Sequence, residues 1–269
     1  AFGARPPRPE VVGADWVAQW RDRLDDLRPL APVWLAHQER DDYWRHGSVC
    51  EDYGAIRAAV LAVGGLADPY RGTVLRLVEN LGAPVKGLLG PWSHQYPDRD
   101  RTPGPAIGFL QETLRWWDHW LKDVDTGVTE DPDLRVWLNR ELTTDTWVPE
   151  REGRWLAVEH WAGVPDWRRL PLATADCSAA RPKAVEVACP WETGMDAGRF
   201  FPYGNSGDLP PDQRAEDGRS VCWDFPVGDR PISILGEPRA RLRVSSSTPR
   251  AHVIVRLCEV SPDGRSRLV

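Results

Sequence analysis

The fold class is predicted by the stretch Ala59-Val60-Leu61-Ala62-Val63-Gly64-Gly65-Leu66-Ala67-Asp68. Its first five residues form a continuous apolar run that ends at two glycines, which is typical of a strand buried on both faces of a parallel sheet. A similar run, Val85-Lys86-Gly87-Leu88-Leu89, ends at Gly90-Pro91-Trp92-Ser93-His94. The two stretches therefore predict two neighbouring parallel strands, each followed by a loop.

Helical periodicity follows each of these loops. Val74, Leu77, Val78 and Leu81 share one helical face between the two strands. After the second loop a longer helix is predicted over about 105–124. Its expected buried stripe has alternating spacings of four and three and contains Leu110, Leu114, Trp117, Leu121 and Val124. The order β-loop-α-β-loop-α indicates an α/β protein with a parallel sheet and right-handed crossovers.

The regions on either side of this segment have different hydrophobic patterns. Before it, Trp16, Trp20, Leu24 and Leu27 recur at helical spacing after Asp15, a good N-cap, and favour a helical cap segment. After about residue 130, short alternating runs separated by turns predict an antiparallel β-sandwich. These runs cover residues 134–138, 155–161, 232–235, 240–244 and 253–257. The predicted domains are residues 1–55, 56–128 and 129–269.

Both ends of the chain suggest a truncated protein. The only methionine is Met195, and the chain begins at Ala1. Near the other end, Ser261-Pro262-Asp263-Gly264 is a turn that should open the second strand of a hairpin just before Val269. We therefore expect the β-sandwich to be incomplete in this sequence.

Asp68 and His94 are the candidate catalytic residues. Asp68 follows one predicted strand and His94 follows the next, and loops at the carboxyl ends of parallel strands meet at one edge of the sheet. Neighbouring strands lie about 4.8 Å apart, so the two side chains can reach hydrogen-bonding distance. A histidine oriented by a carboxylate is the base that activates a serine nucleophile, and α/β-hydrolases place serine, acid and histidine in that order. A turn-forming role for Asp68 and a capping role for His94 are the structural alternatives.

The serine that this pair would need is not recognisable in the sequence. No serine stands in a G-x-S-x-G motif, and the nearest approach is Gly204-Asn205-Ser206-Gly207, which is followed by Asp208 and comes after the histidine. The nucleophile is therefore expected before Ala1, and the chain by itself is expected to be inactive.

Composition excludes several other classes of function. The formal net charge is −6 and no basic run is present, which argues against nucleic acid and anionic membranes as partners. No apolar stretch is long enough to cross a membrane. The histidines and cysteines have no metal-ligand spacing, so neither a metal nor a cofactor is predicted. The five cysteines contain no CxxC motif and are expected to be reduced and buried, as in a cytoplasmic protein.

Three motifs, in this order, resemble the CocE/NonD hydrolases, the family of cocaine esterase and X-Pro dipeptidyl-peptidase. The first two are Gly64-Gly65-Leu66-Ala67-Asp68 and Gly90-Pro91-Trp92-Ser93-His94. The third is the tryptophan-rich helix Leu114-Arg115-Trp116-Trp117-Asp118-His119-Trp120-Leu121-Lys122. In the family the catalytic acid and histidine occupy the positions that Asp68 and His94 match here, and Leu66 replaces the usual tryptophan.

The resemblance implies the C-terminal part of an α/β-hydrolase domain followed by a jelly-roll β-sandwich. It further implies hydrolysis of a small acyl ester, amide or peptide substrate through an acyl-enzyme, without a cofactor, and it leaves homodimer formation open. A competing hypothesis of another class is that the sandwich is a non-catalytic module that binds carbohydrate or protein, with the first half as a degenerate hydrolase remnant.

Overall fold

The computed structural model describes residues 4–98, 103–163, 167–172, 184–199, 207–228 and 230–269. The chain divides into two compact units, Ala1–Ala55 and Ile56–Val269. The first unit contains four short α-helices: α1 (Pro9–Val12), α2 (Trp16–Asp25), α3 (Leu30–Ala36) and α4 (Asp42–His46). The helix predicted after Asp15 is confirmed as α2, although the Asp15 side chain does not cap it. The role of this unit as a cap stays a prediction.

Four strands of the second unit form one sheet in the order β1-β2-β3-β4. The strands are β1 (Val60–Gly65), β2 (Val85–Gly90), β3 (Leu134–Asn139) and β4 (Gly153–Val158). β1 and β2 are parallel, with Val60 opposite Val85 and Gly65 opposite Gly90. The predicted pair of neighbouring parallel strands is therefore confirmed, and in this register both following loops leave from the same edge of the sheet.

Helix α5 (Arg71–Asn80) connects β1 to β2 and packs on the sheet. Its buried side chains are Val74, Leu75 and Val78, which form one core cluster with sheet residues such as Leu134. A Cβ on Gly87 would lie 2.8 Å from Val78 Cγ2, so glycine on β2 permits this close approach of helix and strand. Burial of each such aliphatic side chain contributes about 1.5–3 kcal/mol, so these three residues stabilise the packing of α5 on the sheet.

Strands β3 and β4 differ from the prediction, which assigned residues 134–138 and 155–161 to a separate sandwich. β3 pairs in parallel with β2, and β4 pairs antiparallel with β3. The reason is that Leu134 and Val136 belong to the same apolar core as α5, and the edge of β2 offers them a hydrogen-bonding partner. The sheet thus runs across the domain boundary that the sequence predicted at residues 128/129.

Helix α6 (Phe109–Lys122) forms within its predicted region, but the face expected to be buried is wrong. The apolar stripe is exposed at Leu110, Leu114, Trp117, Leu121 and, just after the helix, Val124. Two bidentate ion pairs explain this orientation. Glu112 accepts hydrogen bonds of 3.0 and 2.8 Å from Arg135 on β3, and Arg115 donates bonds of 2.8 and 2.7 Å to Asp131. The charged side of α6 therefore faces the sheet.

Among its described residues, the C-terminal part contains little regular structure. Its elements are α7 (Arg214–Asp217) and an antiparallel hairpin of β5 (Cys258–Val260) with β6 (Ser266–Leu268). The hairpin confirms the predicted turn, in which Gly264 takes a positive φ of 83°. The runs at 232–235, 240–244 and 253–257 form no strands, since an extended segment needs a hydrogen-bonded neighbour. The jelly roll is not confirmed by the described residues and stays a prediction.

A buried carboxylate holds part of this irregular region together. Glu216 accepts hydrogen bonds from the backbone N–H groups of Gly194 at 2.7 Å and Asp196 at 2.9 Å, and from the Arg219 guanidinium at 2.9 Å. Burial would raise the pKa of Glu216, but these donors outweigh it and hold the pKa below its ordinary value. Polar contacts thus replace strand pairing here.

The cysteines do not meet the expectation that they are buried. Cys50, Cys189 and Cys222 are exposed, Cys258 is half-buried, and all four are free thiols. Cys177 lies outside the described residues. Among the helices of the described ranges, none has the length and apolar composition required to cross a membrane.

Candidate active site

Asp68 lies in the tight loop between β1 and α5. Its backbone N–H donates to Gly65 O at 3.1 Å, and its Oδ1 accepts from the backbone N–H of Tyr70 at 2.7 Å. The residue is 7% exposed, so its carboxylate is held largely out of water. The loop therefore fixes Oδ1 of Asp68, and this also fixes the position of its other carboxylate oxygen, Oδ2.

The loops after β1 and β2 are joined by backbone hydrogen bonds. Leu66 N donates to Gly90 O at 2.8 Å, and Ala67 N donates to Trp92 O at 3.0 Å. A Cβ on Gly65 would lie only 2.0 Å from Trp92 O. Only glycine, which has no Cβ, avoids this clash. The parallel register of β1 and β2 therefore continues as a close contact between the two loops.

His94 meets Asp68 across this contact. Its Nδ1 lies 2.8 Å from Asp68 Oδ2, and its side chain is 37% exposed while that of Asp68 is 10% exposed. An ionised carboxylate only accepts hydrogen bonds, so this contact favours the imidazole tautomer with the proton on Nδ1, in which Nε2 is the nitrogen able to take a proton. The arrangement can orient a histidine to take a proton from a neighbouring hydroxyl group. The structure thus brings together the two residues that the sequence singled out.

Two aromatic residues support the pair, and the sequence pattern did not single out either for this role. Trp92 is almost fully buried and donates from Nε1 to Pro105 O at 2.7 Å, which anchors the loop that carries His94. The Tyr70 ring lies 5.5 Å from the His94 ring, centroid to centroid. The sequence signal for the role of Trp92 is its position two residues before His94.

A second histidine–aspartate pair occurs in the first unit and was missed. His37 Nδ1 lies 2.5 Å from Asp41 Oδ2, and the His37 ring stacks on Tyr43 at 4.4 Å. The spacing of four residues is the sequence signal for this contact. Within the described ranges, no three His, Cys, Asp or Glu side chains are grouped so that they could hold a metal ion. The segment with Ser206 lies outside the described residues.

Two protein families match this chain. Residues 3–96, which contain Asp68 and His94, match the X-Pro dipeptidyl-peptidase (S15) family. Residues 126–269 match the X-Pro dipeptidyl-peptidase C-terminal non-catalytic domain, and this match covers more than half of the chain. The candidate pair therefore lies in the first of the two matched regions.

Individual relatives agree with these matches. Proteins named as serine esterases from Mycobacterium bovis and Mycobacterium tuberculosis are each 26% identical over 83% of this chain and 35% of their own length. The cocaine esterase of a Rhodococcus species is 24% identical over 86% of this chain and 43% of its own length. The chain thus spans less than half the length of the curated relatives it matches.

A solved structure of a CocE/NonD family hydrolase from Staphylococcus aureus superposes with a TM-score of 0.39 at 14% identity, covering 59% of this chain and 26% of that chain. The family assignment comes from the two matched regions and the named relatives. On these grounds the chain belongs to the CocE/NonD family of hydrolases, which includes cocaine esterase and the X-Pro dipeptidyl-peptidases.

Proposed function

We propose that this chain supplies the general base, His94, and its orienting acid, Asp68, to a serine hydrolase that cleaves ester or amide bonds of small acyl or peptidyl substrates. The observation that carries the proposal is the 2.8 Å hydrogen bond between Asp68 Oδ2 and His94 Nδ1. It joins the loops of two adjacent parallel strands, within the region that matches the S15 peptidases. Relatives named as esterases support the same class of reaction.

In the acylation step, the hydroxyl oxygen of a serine attacks the acyl carbonyl carbon while His94 Nε2 takes the hydroxyl proton. Asp68 remains ionised and stabilises the imidazolium that forms. His94 then gives the proton from Nε2 to the leaving alcohol or amine as its bond to the acyl carbon breaks. The product of this step is an ester between the serine and the acyl group.

In the deacylation step, His94 Nε2 takes a proton from a water molecule, which attacks the acyl-enzyme carbonyl. The proton returns to the serine oxygen as the ester bond breaks, and the free acid leaves. Burial of the Asp68 carboxylate matters in both steps, because a poorly solvated negative charge interacts more strongly with the imidazolium than an exposed one.

The nucleophile in this proposal belongs to a part of the protein that precedes the sequence described. No G-x-S-x-G motif occurs in the chain, and α/β-hydrolases place this motif before the acid and the histidine. The chain alone is therefore proposed to be inactive, because it holds a base without its serine.

Labelling with a fluorophosphonate probe tests the proposal. A polypeptide that contains this chain together with the residues encoded upstream of it is expected to react at a serine in a G-x-S-x-G motif. The 269-residue chain alone is expected to remain unlabelled. In the longer protein, His94→Ala should abolish labelling. Undiminished labelling of that variant, or the lack of such a serine upstream, would contradict the proposed role.

A further inference from the structure

Trp155, on β4, contacts the loop that carries His94. It belongs to residues 126–269, the region that matches the C-terminal non-catalytic domain. Its ring centroid lies 5.9 Å from that of Trp92, and the two ring planes are tilted by 50°. At this distance and tilt two aromatic rings attract each other. A strand of the region that matches a non-catalytic domain therefore reaches the candidate active site.

The register of the sheet explains how Trp155 reaches this loop. Val136 on β3 pairs with Leu89 on β2. The next residue of β3, Trp137, pairs with Trp155. Because β2 and β3 are parallel, this step leads toward the carboxyl end of β2, where the loop begins. The Trp137 and Trp155 rings make a T-shaped contact with centroids 5.3 Å apart, so Trp155 is held between Trp137 and Trp92.

Trp92 lies at the junction of the two loops that carry the catalytic candidates. Its ring packs on the backbone of Gly90, where an added Cβ would lie 2.4 Å from Trp92 Cζ3. Its carbonyl oxygen accepts from the backbone N–H of Ala67, the residue before Asp68. His94 follows two residues after Trp92. A displacement of Trp92 would therefore shift the backbone on which both catalytic candidates lie.

The contact with Trp155 is one of the few that fix the Trp92 ring. The ring is almost fully buried, and its Nε1 is held by the carbonyl oxygen of Pro105. We propose that Trp155 is a positioning residue, which through Trp92 keeps His94 at hydrogen-bonding distance from Asp68. The role rests on the proposed function, in which His94 is the general base. It gives the region that matches a non-catalytic domain a part in the geometry of the active site.

Nitrogen NMR of His94 in the 269-residue chain tests this role without a serine. At about pH 8, where an ordinary imidazole is neutral, the ring nitrogen shifts report the ratio of the tautomer protonated on Nδ1 to the other tautomer. Trp155→Leu removes the aromatic contact, so this ratio should fall about fivefold. Trp155→Phe keeps an aromatic ring and should retain most of the ratio. Since Trp155 is 37% exposed, both variants should fold.

Trp161→Leu is the matched control. Trp161 is 9% exposed and belongs to the core cluster that α5 shares with the sheet. It follows Val158, the last residue of β4, which pairs with Leu134 at the opposite end of the strands from His94. The control should lower the free energy of unfolding at least as much as Trp155→Leu and leave the tautomer ratio unchanged. An unchanged ratio in Trp155→Leu, or equal falls in both variants, would overturn the proposal.

Steady-state kinetics in the longer protein provides the second readout. Trp155→Leu should lower kcat for a nitrophenyl ester about fivefold and change KM less than about twofold, because the contact acts through His94. Wild-type kcat in this variant would overturn the positioning role. An inactive wild-type enzyme would instead contradict the proposed hydrolase function and leave the tautomer ratios of the chain unaffected, so the two failures are distinguishable.

Discussion

The chain contains two histidine–aspartate pairs that look alike in distance and differ in setting. Asp68 and His94 are 26 residues apart in sequence and 2.8 Å apart in space, whereas His37 and Asp41 are four residues apart and 2.5 Å apart. The Asp68 side chain is 10% exposed, and that of Asp41 is 42% exposed. The first pair joins the ends of two strands, and the second stays within one helix–turn region.

A short hydrogen bond to histidine therefore does not by itself indicate catalysis. Asp41 is the N-cap of α4, and its Oδ1 accepts from Tyr43 N at 3.1 Å, so the pair has a complete local structural role. An exposed ion pair of this kind is weakened by water and salt and contributes little energy. Asp68 instead is buried, and its Oδ2 contacts a histidine in the loop that follows another strand, which is the geometry expected of the proposed orienting acid.

In the proposed full-length hydrolase, replacing His94 should have a far larger effect than replacing His37. His94→Ala should lower kcat for a nitrophenyl ester by about 10⁶-fold, because no other group takes the serine proton. His37→Ala should leave kcat within about twofold. Turnover measured at substrate saturation checks both variants. Equal losses of kcat in the two variants would contradict the proposal that only the Asp68–His94 pair is catalytic.

The aspartates should show the same contrast with a smaller loss. Asp68→Asn keeps the size of the side chain but favours the wrong imidazole tautomer, so kcat should fall about 10⁴-fold. Asp41→Asn keeps an oxygen that can cap α4 and should have almost no effect on kcat. Steady-state kinetics on the two purified variants gives the comparison. If Asp68→Asn kept the wild-type kcat, the Asp68 carboxylate would have no role in the mechanism.

The contact between the loops can be broken without touching either catalytic candidate. Gly65→Ala places a Cβ 2.0 Å from Trp92 O, so the loops must separate. The free energy of unfolding should fall by about 1–3 kcal/mol, with a parallel loss of kcat. Gly82→Ala is the matched control, since no heavy atom lies within 4 Å of the Cβ it would add. Chemical denaturation of both variants measures the difference, and equal stability would argue against a constrained loop contact.

The smallest effect concerns the pH response of the exposed pair. The hydrogen bond from His37, followed by its charge, holds the pKa of Asp41 below its ordinary value of 3.8. The stabilisation that follows is present above pH 3.8 and is lost as the pH falls through the lowered pKa of the folded state. His37→Ala should therefore raise the pKa of Asp41 toward 3.8, as followed by carboxyl carbon NMR shifts. An unchanged titration would show that His37 does not set this pKa.

The sequence predicted the part of the fold whose signals are local. Continuous apolar runs that end at glycines identified β1 and β2, and the helical face containing Val74 and Val78 identified α5. The order of these elements alone predicts that Asp68 and His94 lie at one sheet edge.

Two of the failed predictions concern which partner an element packs against. An apolar stripe on α6 indicates that the helix has a face to bury, but ion pairs through Glu112 and Arg115 turn that face outward in this chain. Alternation at 134–138 indicates a strand, but it does not say which sheet the strand joins. The packing partner of an element depends on residues distant in sequence, so the periodicity of the element cannot predict it.

The parallel strand pair, the candidate acid and base, and the lack of a recognisable serine motif can be identified from the sequence, because each depends on a short run of residues. The contact of Asp68 Oδ2 with His94 Nδ1 and the extension of the sheet by β3 are seen only in the folded chain. The physical reason is that hydrogen bonds and burial arise between segments that only folding brings together, at a precision of tenths of an ångström that no spacing rule supplies.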